Sequence, residues 1–339
     1  MIEKYIKSEL TLKRWRRFKK RKTAVVASVI LLVSFVLTMI SPLIANSKPI
    51  YMSYKGKSYF PIFVSYHPKD FGVTDSLVLN YRELEMGEGD FKINPIIKWD
   101  PFESNKKVDY YPAPPSADNI FGTDDRGRDV FTRLLYGYKY SIAYAVLTWV
   151  ISTILGVLLG GLMGYYGGKV DFFGQRVVEI FQTIPVFLLL LTLISMLKPS
   201  LILLITISSV FGWMGISYYA RGEFLRNRKL EFVEAARGMG ASTSRIIFKH
   251  ILPNSLGPII TFAPFSIAGG ITGLAGLDYL GFGLEVPTPS WGELLAQAHK
   301  NFTIAWWLAV YPSAALFSSL FLFVLVGDGV RDALDPKMK

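Results

Sequence analysis

Few residues of this chain are equipped for covalent chemistry, and none of them is grouped for it. There is no cysteine among the 339 residues, which excludes disulfides, thiol nucleophiles and thiolate metal sites. The three histidines, His67, His250 and His299, stand far apart with no second histidine beside any of them, so neither a metal site nor a catalytic set is expected. No Gly-x-Ser-x-Gly elbow occurs. Gly56-Lys57-Ser58 has the ending of a phosphate-cradling loop, but Tyr51 occupies the place of its first glycine, and the loop reading is rejected. Asp278 closes a long uncharged run, and a carboxylate in or beside a membrane span is a functional candidate by default. It has no charged neighbour and reads as a solvated or hydrogen-bonded end residue. The chain is expected to be no enzyme.

A mechanical role is better supported. Leu230–Asn254, LEFVEAARGMGASTSRIIFKHILPN, is a charged island between two segments without a single Asp, Glu, Lys or Arg, Pro199–Ala220 and Ile251–Leu277. Both are long enough to cross a bilayer. Phe232, Ala235, Ala236 and Met239 fall at i, i+3, i+4 and i+7, one stripe of a short amphipathic helix. Gly240 breaks that helix, Ser242 or Thr243 can cap a second, and Pro253 is expected to close it. Two short helices meeting at a glycine form a rigid elbow. A plain charged hairpin is the alternative.

The order Glu234-Ala235-Ala236, three residues, Gly240, then Leu252-Pro253 resembles the cytoplasmic loop of the membrane subunit of ABC importers. His250 stands where many importers carry isoleucine, a variant that peptide permeases commonly show. Asn119–Gly137 and Gly327–Pro336 are similar to segments of oligopeptide and dipeptide permeases, and Asn46–Gly72 resembles the enlarged outer domain of the microcin C-type peptide permease subunit. The resemblance implies a docking surface for an ATPase at Glu234, Ala235, Ala236, Gly240, Met239 and Phe232. It also implies a second homologous permease subunit, two cytoplasmic ATPase subunits or domains that hold ATP and Mg, an extracytoplasmic solute-binding protein and a peptide substrate. Related permeases carry nickel chelates or sugars, which leaves another solute open. A membrane-anchored sensing module is the rival from a different class.

The elements that position the island follow from charge and hydropathy. The chain is 51% hydrophobic with a mean hydropathy of +0.34 and a net charge of +11. That charge is not a nucleic-acid footprint. Met1–Thr23 holds ten Lys/Arg against two Glu, Arg221–Lys249 holds seven basic against three acidic residues, and Lys48–Lys139 balances thirteen of each. Basic excess beside spans marks the cytoplasmic side, and the cluster Lys13–Lys22 can also meet anionic lipid. The reading is an all-α polytopic protein of the inner membrane with six transmembrane helices, an ABC importer permease fold, and a mixed α/β or irregular extracytoplasmic insertion between helices 1 and 2. Its parts are a basic cytoplasmic N-terminus at 1–22, a first span at 23–47, an extracytoplasmic domain at 48–133 and a permease core at 134–339 with the docking loop at 221–254. Both termini are expected in the cytoplasm.

Finer expectations concern packing. IYMSYKGKSYF predicts a hairpin turning at Lys55-Gly56, and YYPAPPS at Tyr110–Ser116 a stiff linker. Asn119–Gly137 predicts a helix lying at the membrane interface. Gly156, Gly160, Gly164 and Gly168 recur every four residues and predict a close helix–helix face. Pro185 predicts a kink or a helix start, and Trp291, Trp306 and Trp307 an aromatic belt.

Overall fold

The structure, a computed structural model, describes residues 9–73 and 79–334. The first eight residues of the basic head and the last two of the Gly327–Pro336 motif lie outside the described residues. Helix α1 (Glu9–Lys20) is basic and ends at Arg21, whose ψ of 86° breaks it from α2 (Lys22–Met39). Apolar all round, α2 presents Val29, Leu32 and Val33 outward, as a helix against hydrocarbon should. One turn, α3 (Ser41–Ile44), leads from it into the insert.

With no disulfide available, the insert is held by packing, hydrogen bonds and ion pairs. Strands β1 (Tyr51–Tyr54), β2 (Lys57–Tyr59) and β3 (Phe91–Ile93) form an antiparallel sheet in the order β2-β1-β3. The expected hairpin is present, with Lys55 and Gly56 at φ 52° and 75°, the pair of positive values that a tight two-residue turn requires. Met52 and Tyr54 point to one side, onto Phe71 and Tyr81. Among the described residues the remainder is a 3-10 turn at Pro68–Phe71, other turns and irregular backbone, so the insertion is of the mixed kind expected. Tyr110–Ser116 is not a free linker. Pro112 and Ala113 are buried, the Tyr111 hydroxyl donates to Asn105 O, and Ala113 N–H donates to Thr123 Oγ1.

Helix α4 (Val130–Tyr166) starts inside the stretch where an interfacial helix was expected. No separate helix forms there, because Gly122 and Gly127 turn the chain at positive φ and the Asp129 side chain caps α4 by accepting Thr132 N–H at 2.7 Å. Then come α5 (Gly168–Gln182), α6 (Val186–Met196), α7 (Leu201–Asn227) and α8 (Glu231–Gly238). The short α9 (Thr243–Arg245) runs through a π-helical turn, Ile246–Ile251, into α10 (Leu252–Thr261). The chain ends in α11 (Ala263–Tyr279), α12 (Trp291–Lys300) and α13 (Trp306–Leu334). Helices α2, α4, α7 and α13 are long and apolar enough to cross a membrane. Two bent pairs bring the number to six if each is one span: α5–α6, bent by 63° just before Pro185 as that proline predicts, and Thr243–Thr261 with α11, bent by 49°. The molecule is a polytopic membrane protein.

Three of the four spaced glycines make the α4–α7 crossing. A Cβ on Gly156 would stand 2.7 Å from Ile216 Cβ, one on Gly160 2.8 Å from Ser217 Cα, and one on Gly164 2.8 Å from Phe224 Cβ. Gly168 is no part of that face, since α4 ends at Tyr166 and Gly168 opens α5 with nothing near it. The aromatic belt is likewise reduced to Trp306, which is exposed. Trp291 and Trp307 are buried fasteners whose indole N–H groups donate to Leu134 O at 2.8 Å and Thr123 O at 3.0 Å. At the opposite end, Arg21 pairs with Asp332 and donates to Asp328 O, while Gly329 lets α13 approach Ala24 and Phe18.

Candidate functional site

Helix α8 begins after Leu230 with Glu231 and Glu234 in its first turn, where carboxylates suit the positive end of the helix. Its end is a Schellman closure: Ala241 N–H donates to Ala236 O and Gly240 N–H to Arg237 O, both at 3.0 Å. Gly240 sits at φ 78°, which the absence of a Cβ makes cheap. Ser242 then caps the next helix by accepting Arg245 N–H, so Ser242 rather than Thr243 is the cap.

The expected apolar stripe divides between two faces. Phe232, Ala235 and Met239 face outward with Glu234 and Gly240, and Met239 is 81% exposed. Ala236 is buried, as is Val233, which packs against Phe224, Ile246 and Ile251. The elbow is thereby pinned to the ends of two spans while a bare apolar face remains outside. Leu230 and Phe248 are exposed as well, Phe248 beside a groove that it lines with Leu158 and Leu162 of α4. Pro253 does not close the second helix. The widened turn lies immediately ahead of it, where the proline ring would press on the Lys249 carbonyl of an unbroken α-helix, and the rod continues.

Polar struts tie the elbow to the bundle. Asn227 Nδ2 donates to Ser255 Oγ at 2.9 Å in a buried contact between α7 and α10. Arg228 donates to Tyr165 O at 2.8 Å, at the end of α4. Arg221 makes a two-pronged pair with Asp171, with Nη2 to Oδ2 at 2.6 Å, joining α7 to the start of α5. Two opposite charges, each beside an apolar run, were the signal in the sequence that could have found this last pair.

At the insert end a second polar set fastens the loop before α4 to α12. Arg128 bonds Asp124 at 2.6 Å and Glu293 at 3.0 Å, and Arg133 reaches Glu293, Asp124 and the carbonyl of Pro101. Both arginines and Asp124 are buried, so each charge needs its partner. Asn119 bridges Asn105 and Asp129. Burial holds the Asp129 carboxyl above the usual carboxylate range, against the opposing pull of the hydrogen bonds from Asn119 and Thr132. Asp278, 7% exposed, accepts from Ser290 Oγ and from Leu284 N–H at 2.6 Å. It is a hydrogen-bonded fastener rather than a solvated end. Among the described residues no group of three His, Cys, Asp or Glu is placed to hold a metal ion.

Residues 156–339 match the model of the binding-protein-dependent transport system inner membrane component. The chain belongs to that family. Residues 12–68 match the N-terminal TM domain of oligopeptide transport permease C, a span that runs from α1 through the β1–β2 hairpin. The inner membrane ABC transporter permease protein YejE of Escherichia coli is 38% identical over 95% of this chain and 96% of its own. The peptidoglycan transport system permease protein YejE of Agrobacterium fabrum is 34% identical over 97% and 94%. The dipeptide transport system permease protein DppC of Alkalihalophilus pseudofirmus is 39% identical over 66% of this chain and 74% of its own. The family match of this transport component takes in the elbow, its struts and both ends of the helix bent at Phe262. The two YejE matches extend over nearly the whole chain, the insert included.

Proposed function

We propose that this chain is a permease subunit of an ATP-driven, binding-protein-dependent peptide importer of the cell's inner membrane. Its elbow is the contact for a cytoplasmic ATPase, and α1, α8 and the end of α13 therefore lie in the cytoplasm, with the insert outside. The peptide and dipeptide systems named among its relatives support the substrate class. The basic excess of the N-terminus and of Arg221–Lys249 supports the orientation. Phe232, Ala235 and Met239 supply the docking surface, Glu234 its polar edge, Gly240 the turn, and Ala236 the inward packing that keeps the helix in place. The remaining parts of the assembly are a second homologous permease, two ATPase subunits or domains that bind ATP and Mg, a solute-binding protein outside, and the surrounding lipid.

The observation that carries this reading is the rigid elbow itself, a helix closed by a glycine, packed by Val233 onto two spans and apolar on its free face. In the mechanism that follows, ATP-driven closure of the ATPases moves α8. Val233 and the Asn227–Ser255 bond transmit the motion to α7 and α10, and the bundle exchanges an inward-open for an outward-open arrangement. Such a switch requires contacts that differ between the two states. Ala235→Trp leaves the elbow folded, because the position is exposed, yet fills the docking face. Gly240→Val forces a β-branched residue into positive φ. Co-purification of the ATPase should fall roughly tenfold or more in both variants, the scale of one lost anchor at an interface, with insertion unchanged. Unaltered ATPase binding by Ala235→Trp would show that the contact surface lies elsewhere.

A further inference from the structure

A groove of about 370 Å³ opens on the insert where it meets the first span. Arg82, Lys98, Trp99, Lys107 and Asp118 line it, together with Ile96 and Ile120. Helix α2, of 18 residues, is about 27 Å long, close to the thickness of a hydrocarbon core, so its end at Met39 lies near a bilayer surface. Backbone ties the groove to that end. Ile97 N–H donates to Ile44 O at 2.9 Å, and Asn46 N–H donates to Ile97 O at 3.0 Å. Side chains give the same level. The Thr38 hydroxyl of α2 donates to Leu135 O of α4, and the Thr132 hydroxyl donates to Trp99 O at 3.3 Å. Thr132 and Leu135 are three residues apart, about 4.5 Å along the helix. Trp99 therefore stands close above the last apolar turn of α2.

Two properties say what meets the groove there. Ile96 and Ile120 are 84% and 53% exposed. Apolar side chains bared so near a span suit the boundary of headgroups and acyl chains better than water. The polar part carries a surplus of positive charge. Arg82 lies over the Trp99 ring at 3.8 Å and pairs with Glu103 at 3.0 Å, so its charge is answered. Lys98 and Lys107 are exposed, and among the described residues neither is in an ion pair. Asp118 offsets one of them, which leaves one positive charge over, the match for a single phosphodiester. The Trp99 ring is buried and its Nε1 donates to Asp118 O at 2.7 Å, so this wall is fixed before anything binds. At the surface of a bilayer the anion present in quantity is a lipid phosphate.

We propose that this groove holds the headgroup of an anionic phospholipid in the leaflet on the insert side, with Lys98 and Lys107 on its phosphate and Ile96 and Ile120 against the upper acyl carbons. The lipid seats the insert on the membrane beside α2. The inference needs only that α2 spans the bilayer, and it stands apart from the importer reading.

The test places the full chain in nanodiscs of phosphatidylcholine to which phosphatidylglycerol is added in steps. A trace of the phosphatidylglycerol carries a photoactivated diazirine on its headgroup, and adducts are located by peptide mass. Adducts should gather within residues 96–120 and saturate as phosphatidylglycerol rises. Lys98→Gln combined with Lys107→Gln should cut that yield about tenfold or more, since a lysine at a membrane surface is worth about fivefold. Adducts elsewhere on the chain should be unchanged. Lys98→Arg with Lys107→Arg should keep the yield, which separates lost charge from lost folding. Few adducts in 96–120, or a yield that the glutamine variant leaves as it was, would overturn the site. Soluble glycerol phosphate that competes as well as the lipid would make it a site for free anions and overturn the lipid assignment. Loss of the adducts when the second permease subunit or the solute-binding protein is added would show that protein, not lipid, covers this face.

Discussion

Charged residues in this protein work mainly as fasteners, and Asp129 shows how closely one side chain is specified. It caps α4, accepts from Asn119 and is almost wholly buried beside Asp124. Burial holds its carboxyl above the ordinary value. A carboxyl with a raised folded-state pKa contributes stability that is complete below its unfolded value and is lost as pH rises through the folded value. The insert should therefore resist unfolding better at mildly acidic pH than at neutral pH. Asp129→Asn keeps the cap through its one oxygen, gives up the bond from Asn119 Nδ2, and removes the titration. Amide exchange in residues 119–129, followed between pH 4 and 7, should slow toward acid in the wild type and lose part of that slope in the variant. Equal slopes would assign the dependence to other insert carboxyls, Asp100 and Glu103, which burial also raises.

At the scale of elements, the close crossing of α4 and α7 is the joint on which the bundle depends. Gly160→Val would drive a branched side chain into the backbone of Ser217. Overpacking of this kind costs about 1–3 kcal/mol, and the crossing is long enough to transmit a shift to Gly156 and Gly164. Gly257→Ala, placed where nothing lies within 4 Å, is the matching control. In detergent, the first variant should unfold at a distinctly lower temperature and the second within a degree or two of wild type. This crossing was legible in the sequence, because a helix in lipid can place glycine every four residues only against a near neighbour. The four long apolar helices were legible for a similar reason, as runs with few charges, and so was the Lys55-Gly56 turn, which has few other conformations open to it. What could not be read were features decided by distant partners. Trp291 and Trp307 have the composition of an interface belt, and only the carbonyls of Leu134 and Thr123 make them core residues. Asn119–Gly137 has the pattern of a surface helix until Asp124, Arg128 and Glu293 bring its first half into a buried turn. The elbow lay between these cases. Gly240 announced its turn, but which alanine faced outward followed from the packing of Val233 against Phe224 and Ile251.

For the whole molecule, the proposed coupling requires an elbow rigid toward the spans while the spans move relative to one another. The joints fall accordingly. Val233, Asn227 and Ser255 bind α8 to α7 and α10, and the bends before Pro185 and at Phe262 lie outside that joint, one on each side of it along the chain. Arg221 and Asp171 join α7 to α5, and in the proposed coupling they would carry the motion of the elbow to the first of these bends. A partly exposed pair gives modest stability, so its removal should affect coupling more than folding. Asp171→Asn should leave the ATPase bound and turning over, yet lower peptide uptake per ATP consumed about threefold to tenfold, the effect of one weakened charge-assisted contact. The double exchange Asp171→Arg with Arg221→Asp restores attraction with its sign reversed and should recover most of the loss. Recovery would assign the effect to the pair rather than to either residue. Full coupling in the Asp171→Asn complex would instead mean that the elbow drives α10 alone, with α5 and α6 carried along by lipid and partner.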